Sequence, residues 1–232
     1  MRLPGRADLL GYVPLAVVTT AASVAGRERT HLATKLLLAP TLAAGVVATR
    51  GERSATRSVT LVAALAGSVV GDWFMNASGR AGSPEERRQS MRLGAAAFAV
   101  QQAGLVRLLL ADGVRPRAVP ATIVGGTLAG LAVVDTGGAG RPDPVLTAYG
   151  MLLGSMSALA LTRRRTVALG GGLFLVSDAT IILGEHLAKT PRQRAVVSGI
   201  VMTTYAAALA LLVHGLRDEP VLADPVPEDS TA

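Results

Sequence analysis

Two aspartates lie inside long apolar runs of this chain, Asp72 in LVAALAGSVVGDWFMN and Asp178 in VALGGGLFLVSDATIIL. A charged side chain at the centre of a membrane span costs roughly 2.5 to 3.5 kcal/mol, against a gain of about 0.3 to 0.6 kcal/mol for each Leu or Val. Helices this aliphatic can still insert, but carboxylates retained in them are candidates for proton chemistry or for holding a charged group. Lys35 adds an amine to a third such run. Apart from Lys189 the chain's other cations are all arginines, and a lysine ammonium, unlike a guanidinium, can lose its proton when desolvated. The alternative is an ion pair between Lys35 and Asp72 or Asp178 that only ties helices together. Tyr149, Tyr205, Gln101, Gln102 and Ser177 are further polar side chains in these and neighbouring runs. Tyrosine and glutamine also serve as hydrogen-bonded links between membrane helices.

The elements that must position these groups are apolar blocks of about 16 to 20 residues, enough for a helix to cover roughly 30 Å of hydrocarbon at 1.5 Å per residue. Half of the 232 residues are hydrophobic and the mean hydropathy is +0.44. Eight blocks can be read, at 10–25, 32–49, 58–75, 93–111, 118–134, 145–162, 167–184 and 196–215. Short polar connections with turn signals separate them, for example at 50–53, 137–142 and 189–192. The pattern predicts an all-α fold, a polytopic integral membrane bundle of eight transmembrane helices forming one domain over 1–217. The remaining segment, 218–232, is acidic and carries three prolines, and is expected to be a disordered C-terminal tail.

Alternating the spans across the membrane places Lys35, Asp72, Tyr149 and Asp178 in the half facing away from the termini. Gln101, Gln102 and Tyr205 fall near mid-membrane. Residues spread from position 35 to 205 thus converge in depth, which predicts one cavity opening on the face opposite the termini. Gly67 with Gly71, Gly126 with Gly130, and Gly150 with Gly154 are small-xxx-small pairs that let helices approach closely, and 170–172 is a glycine triplet. Two of the pairs adjoin Asp72 and Tyr149.

Several function classes are disfavoured. No cysteine is present, so disulfides, thiolate nucleophiles and cysteine metal sites are excluded. The net charge of +7 comes from arginines in loops beside the spans, which fits contact with anionic headgroups better than nucleic acid. His31, His186 and His214 stand at block ends and in different halves of the membrane, so neither a metal centre nor a Ser177-based Ser-His-Asp site is expected. Arg2 and Arg6 before an apolar run ending in Ser23-Val24-Ala25 have the form of a signal peptide. The seven similar blocks that follow favour a first span. Basic residues divide almost evenly between the two faces, and only the Arg163-Arg164-Arg165 turn leans towards cytoplasmic termini.

An ordered series of short motifs covers nearly the whole chain: Lys35-Leu-Leu-Leu-Ala-Pro40, Gly71-Asp72, Gly94-Ala-Ala-Ala-Phe98, Tyr149, Leu173-Phe174-Leu-Val-Ser177-Asp178 and Tyr205. This series resembles that of the YhhN family, which includes the animal lysoplasmalogenases. Two positions depart from it. Gln102 stands where many members carry a histidine, and Leu105 stands where a tyrosine is common, so acid-base chemistry at these positions is absent here. The resemblance implies a cofactor-free membrane hydrolase that cleaves the vinyl ether of a lysoplasmalogen to a fatty aldehyde and a glycerophospho-alcohol. Within that reading Asp178 is the expected general acid and Asp72 the stabilising base. Lys35, Tyr149, Tyr205, Gln102 and Ser177 are the expected substrate-binding groups, with no metal. The partners implied are a lysophospholipid substrate and membrane lipids, without nucleic acid, and the location a bacterial cell membrane. A small-solute or lipid transporter using the same charges for binding and proton coupling is the alternative. It is weakened by the lack of an evident internal repeat and by a cluster confined to one leaflet.

Overall fold

The structure, a computed structural model, describes residues 6–136 and 143–217. The glycine-rich turn expected at 137–142 and the acidic tail from 218 lie outside the described residues. Eight α-helices follow in order: α1 (Asp8–Val24), α2 (Glu28–Ala48), α3 (Ala55–Gly79), α4 (Pro84–Ala111), α5 (Ala118–Thr136), α6 (Pro144–Ala160), α7 (Arg165–Leu187) and α8 (Pro191–Arg217). A single 3-10 turn at Arg50–Glu52 links α2 to α3.

Local chemistry sets the helix ends. The hydroxyls of Ser54 and Ser83 cap α3 and α4, accepting from Arg57 N and Glu86 N at 3.2 Å each. The Glu86 carboxylate reaches back to Gly82 N at 3.0 Å, which starts α4 at Pro84, well before its apolar block. Gly26, at φ 66°, provides the left-handed turn between α1 and α2. The Asp143 carboxylate caps α6 by accepting from Val145 N at 2.9 Å and is held to α4 by Arg92 Nε at 2.6 Å.

α2, α3, α4, α7 and α8 are long and apolar enough to cross a membrane, and α1, α5 and α6 are shorter apolar helices. The seventeen residues of α1 cover only about 26 Å at 1.5 Å per residue. The bundle has an apolar core in which a minority of polar side chains is buried, and an apolar outer surface. Ser68, Asp72, Gln101, Gln102 and Ser157 are buried, whereas Leu10, Val59, Val119 and Ile123 face outward. Such a surface belongs in lipid rather than water.

Seven helices close a ring, each packing on the next in the order α1, α2, α3, α4, α6, α7, α8 and back to α1. α5 lies outside it, against α6 and α7. Glycines fix the closest seams. A Cβ at Gly67 would fall 2.7 Å from the Ala97 carbonyl of α4, and one at Gly170 would fall 2.8 Å from Leu212 of α8. The second small-residue pair behaves differently: Gly126 and Gly130 have nothing within 4 Å and seat no helix of this chain.

The end of the bundle nearest the termini is closed by ion pairs. Arg57 of α3 forms a two-pronged pair with Asp112 at 2.6 and 2.8 Å and donates from Nε to the Leu216 carbonyl at 2.7 Å. Arg217 and His214 of α8 meet Asp8 of α1 at 3.0 and 3.4 Å. Arg57, His214 and Arg217 are buried, and Arg57 and Arg53 donate to the Leu216 and Arg217 carbonyls that the α8 ladder leaves open.

Candidate active site

Near its far-face end, α3 brings Asp72 to the bundle interior about two turns from the terminus. The antiparallel α2 sets Lys35 at the same height, and its Nζ lies 3.0 Å from Asp72 Oδ1. Asp72 is 2% exposed and Lys35 15% exposed, so the anion is enclosed while the ammonium keeps access to open space. Tyr205 of α8 donates its hydroxyl to Asp72 Oδ2 at 2.8 Å, and the same hydroxyl lies 2.6 Å from Ser68 Oγ. The Lys35 ammonium also stands 5.6 Å from the Tyr205 ring centroid.

Asp178 of α7 has different company. Its Oδ2 accepts a hydrogen bond from the Tyr149 hydroxyl of α6, and it forms no ion pair among the described residues. Phe98 of α4 packs near both tyrosines, its ring centroid 6.3 Å from those of Tyr149 and Tyr205. Gly71 makes room for it, since a Cβ there would fall 2.7 Å from the Phe98 ring. Gly94 lets α4 settle on Met75 and on the Gly71 carbonyl in the same way. The adjacency of Gly71 and Asp72, and the spacing of Gly94 and Phe98, thus form one interlocking seam beside the carboxylates.

Lys35, Asp72, Tyr149, Ser177, Asp178 and Tyr205 all line one cavity of about 680 Å³. Its rim lies at the face opposite the termini and carries both signs of charge, with Glu28, Arg80, Arg87 and Glu185 around it. Arg87 and Glu185 are paired at 3.1 Å across the mouth. Two of the residues singled out in the sequence sit differently from the rest. Ser177 donates its hydroxyl to the Val201 carbonyl at 3.2 Å, which ties α7 to α8. Gln102 is fully buried beside Tyr149 and does not line the cavity, and Gln101 is likewise buried.

His31 is the residue that block counting passes over. It lines the cavity one turn towards the rim from Lys35, and its Nδ1 lies 3.2 Å from the Thr19 carbonyl. That contact places the Nδ1 proton on the backbone side of the ring. The four-residue spacing of His31 and Lys35 on one helix was the available signal.

Comparison with protein families matches residues 30–216, most of the chain, to the YhhN family model. The chain belongs to the YhhN family. Neither curated proteins nor solved structures give a match to it. The YhhN match begins just before His31 and ends at Leu216, so it takes in every residue of the carboxylate cluster. Membership accords with a membrane protein of the lysoplasmalogenase-like class.

Proposed function

We propose that this YhhN protein is a membrane-embedded hydrolase that cleaves the vinyl ether of lysoplasmalogen-type lysophospholipids, with all eight helices crossing a bacterial cell membrane. The observation that carries this reading is the unequal company of two carboxylates on one cavity. Asp72 has an ammonium at 3.0 Å and a phenol at 2.8 Å. Asp178 has a phenol and no cation bonded to it. Two carboxyl groups in differing environments divide acid and base roles.

In the proposed reaction Asp178 gives its proton to the β-carbon of the vinyl ether, and the double-bond electrons form the new C–H bond. The resulting oxocarbenium ion is stabilised by the Asp72 carboxylate. Water adds to the cationic carbon as Asp72 accepts its proton, forming a hemiacetal. Collapse of the hemiacetal breaks the bond to the glycerol oxygen, which takes up the proton held by Asp72, while the hemiacetal hydroxyl gives up its own to Asp178. The products are a fatty aldehyde and a glycerophospho-alcohol, and the protons balance. Lys35 holds Asp72 in its ion pair and turns its remaining N–H groups to the substrate phosphate. Tyr149 and Tyr205 orient the two carboxylates, and Gln102 acts on substrate only through Tyr149. Ser177 contributes wall rather than a free hydroxyl.

A two-signed rim over an apolar interior suits a zwitterionic headgroup with an aliphatic chain. The transport alternative has less support, because the end nearest the termini is closed by the Arg57–Asp112 and Asp8–Arg217 pairs. Purified protein is expected to release aldehyde from vinyl-ether lysolipids and nothing from saturated-ether or ester lysolipids of equal length. Ester cleavage, or binding of all three without any release, would overturn the assignment.

A further inference from the structure

The cavity does more than enclose the carboxylates, because one of its arms runs between α5 and α6. Deep in the bundle these helices touch: Gly154 of α6 is packed against Leu128 and Val124 of α5. One turn nearer the rim, Gly150 also lines the cavity, yet a Cβ there would meet nothing within 4 Å. The two helices therefore part between these glycines. Above the parting, Ala129 of α5 and Met151 of α6 are exposed and yet are wall residues of the cavity, so the arm opens on the side of the bundle. That side faces lipid, since α5 lies outside the ring and presents Val119, Ile123 and Val133 outward. The walls suit flexible hydrocarbon. Met75, Met91, Met151 and Met202 line this cavity, four of the six methionines in the chain, and unbranched thioether side chains adapt to apolar ligands of varied shape.

We infer that the crevice between α5 and α6 admits the single aliphatic chain of a membrane amphiphile sideways from the bilayer, with the polar end at the rim and the first carbons beside Tyr149 and Asp178. This rests on the lysolipid reading for the identity of the amphiphile, but a chain site can exist without vinyl-ether cleavage. Gly150 then sets how much chain the crevice accepts, because any side chain there projects into it rather than into protein.

The test is binding of saturated 1-O-alkyl lysophosphocholines, which lack a vinyl ether and cannot be hydrolysed by this chemistry. Hexadecyl and octyl forms are titrated into wild-type protein and into Gly150→Leu and, from the opposite wall, Ala129→Leu, all in nanodiscs. Comparing variants at one chain length cancels partitioning into lipid. The expected result is an affinity loss of about tenfold or more for the hexadecyl form and about twofold or less for the octyl form, since each buried methylene removed from the site weakens binding about fourfold. Equal losses at both lengths, no loss at either, or a loss greater for the octyl form overturns the chain site. Should the chain-length pattern appear in a protein that releases no aldehyde from a vinyl-ether lysolipid, the crevice stands and the hydrolase reading fails.

Discussion

Asp178 and Asp72 make different demands on a substitution. An amide at position 178 keeps the shape and can still accept from Tyr149, but it has no proton to give to carbon. Asp178→Asn is therefore expected to lower turnover by about 10² to 10⁴ without altering the melting temperature much. Activity above about a tenth of wild type would remove Asp178 from the proton-carrying role. Lys35 is held more tightly than a free phosphate ligand, being 3.0 Å from a buried carboxylate. Lys35→Met leaves that anion alone and is expected to cost about 3 to 5 kcal/mol of stability. Combining it with Asp72→Asn should recover most of the loss, as a double-mutant cycle in detergent would measure. Affinity for a saturated-ether lysolipid should stay weakened in the folded fraction of Lys35→Met. Unchanged affinity there would mean that Lys35 serves Asp72 alone.

Helices rather than single residues explain what block counting could and could not reach. Span order alone brought Lys35, Asp72, Tyr149 and Asp178 to one depth, because alternating crossings are a one-dimensional property. Which helices become neighbours is not, and nothing in the sequence places α5 outside the ring. The closing ion pairs were equally hidden, since Asp112 sits in a connection where the apolar pattern ends and only tertiary packing joins it to Arg57 and, at 3.4 Å, to Arg163. Arg57→Met should leave Asp112 with only the longer Arg163 pair and the Leu216 carbonyl without its donor, destabilising the bundle by about 3 kcal/mol, with little effect on lysolipid affinity in the folded fraction. At the other face, the hydrogen bond from Arg92 holds the Asp143 carboxyl below its usual range. A lowered carboxylate contributes stability that is complete above its ordinary value near pH 4 and fades as the pH falls through the depressed one. Arg92→Ala should remove that acid-side loss, visible as a flatter melting temperature below about pH 4.

As a whole the molecule is a ring of helices closed at one end and open at the other, with charge kept inside and hydrocarbon outside. The motif series was legible because its glycines and Phe98 have packing reasons: Gly71 admits Phe98, Gly94 seats α4 on Met75 and the Gly71 carbonyl, and Phe98 packs near both Tyr149 and Tyr205. His31 was not, because a histidine at a block end reads as an interfacial residue until α1 and α2 are seen to fold it against the cavity. This arrangement makes carbon protonation by a buried acid the central claim, and running the reaction in deuterated water addresses it most directly. Protonation of the β-carbon predicts a fatty aldehyde bearing a single solvent-derived deuterium on the carbon beside the carbonyl, with none on the glycerol carbons. Aldehyde released without deuterium at that carbon, or no aldehyde from a vinyl-ether lysolipid that the protein binds, would contradict it.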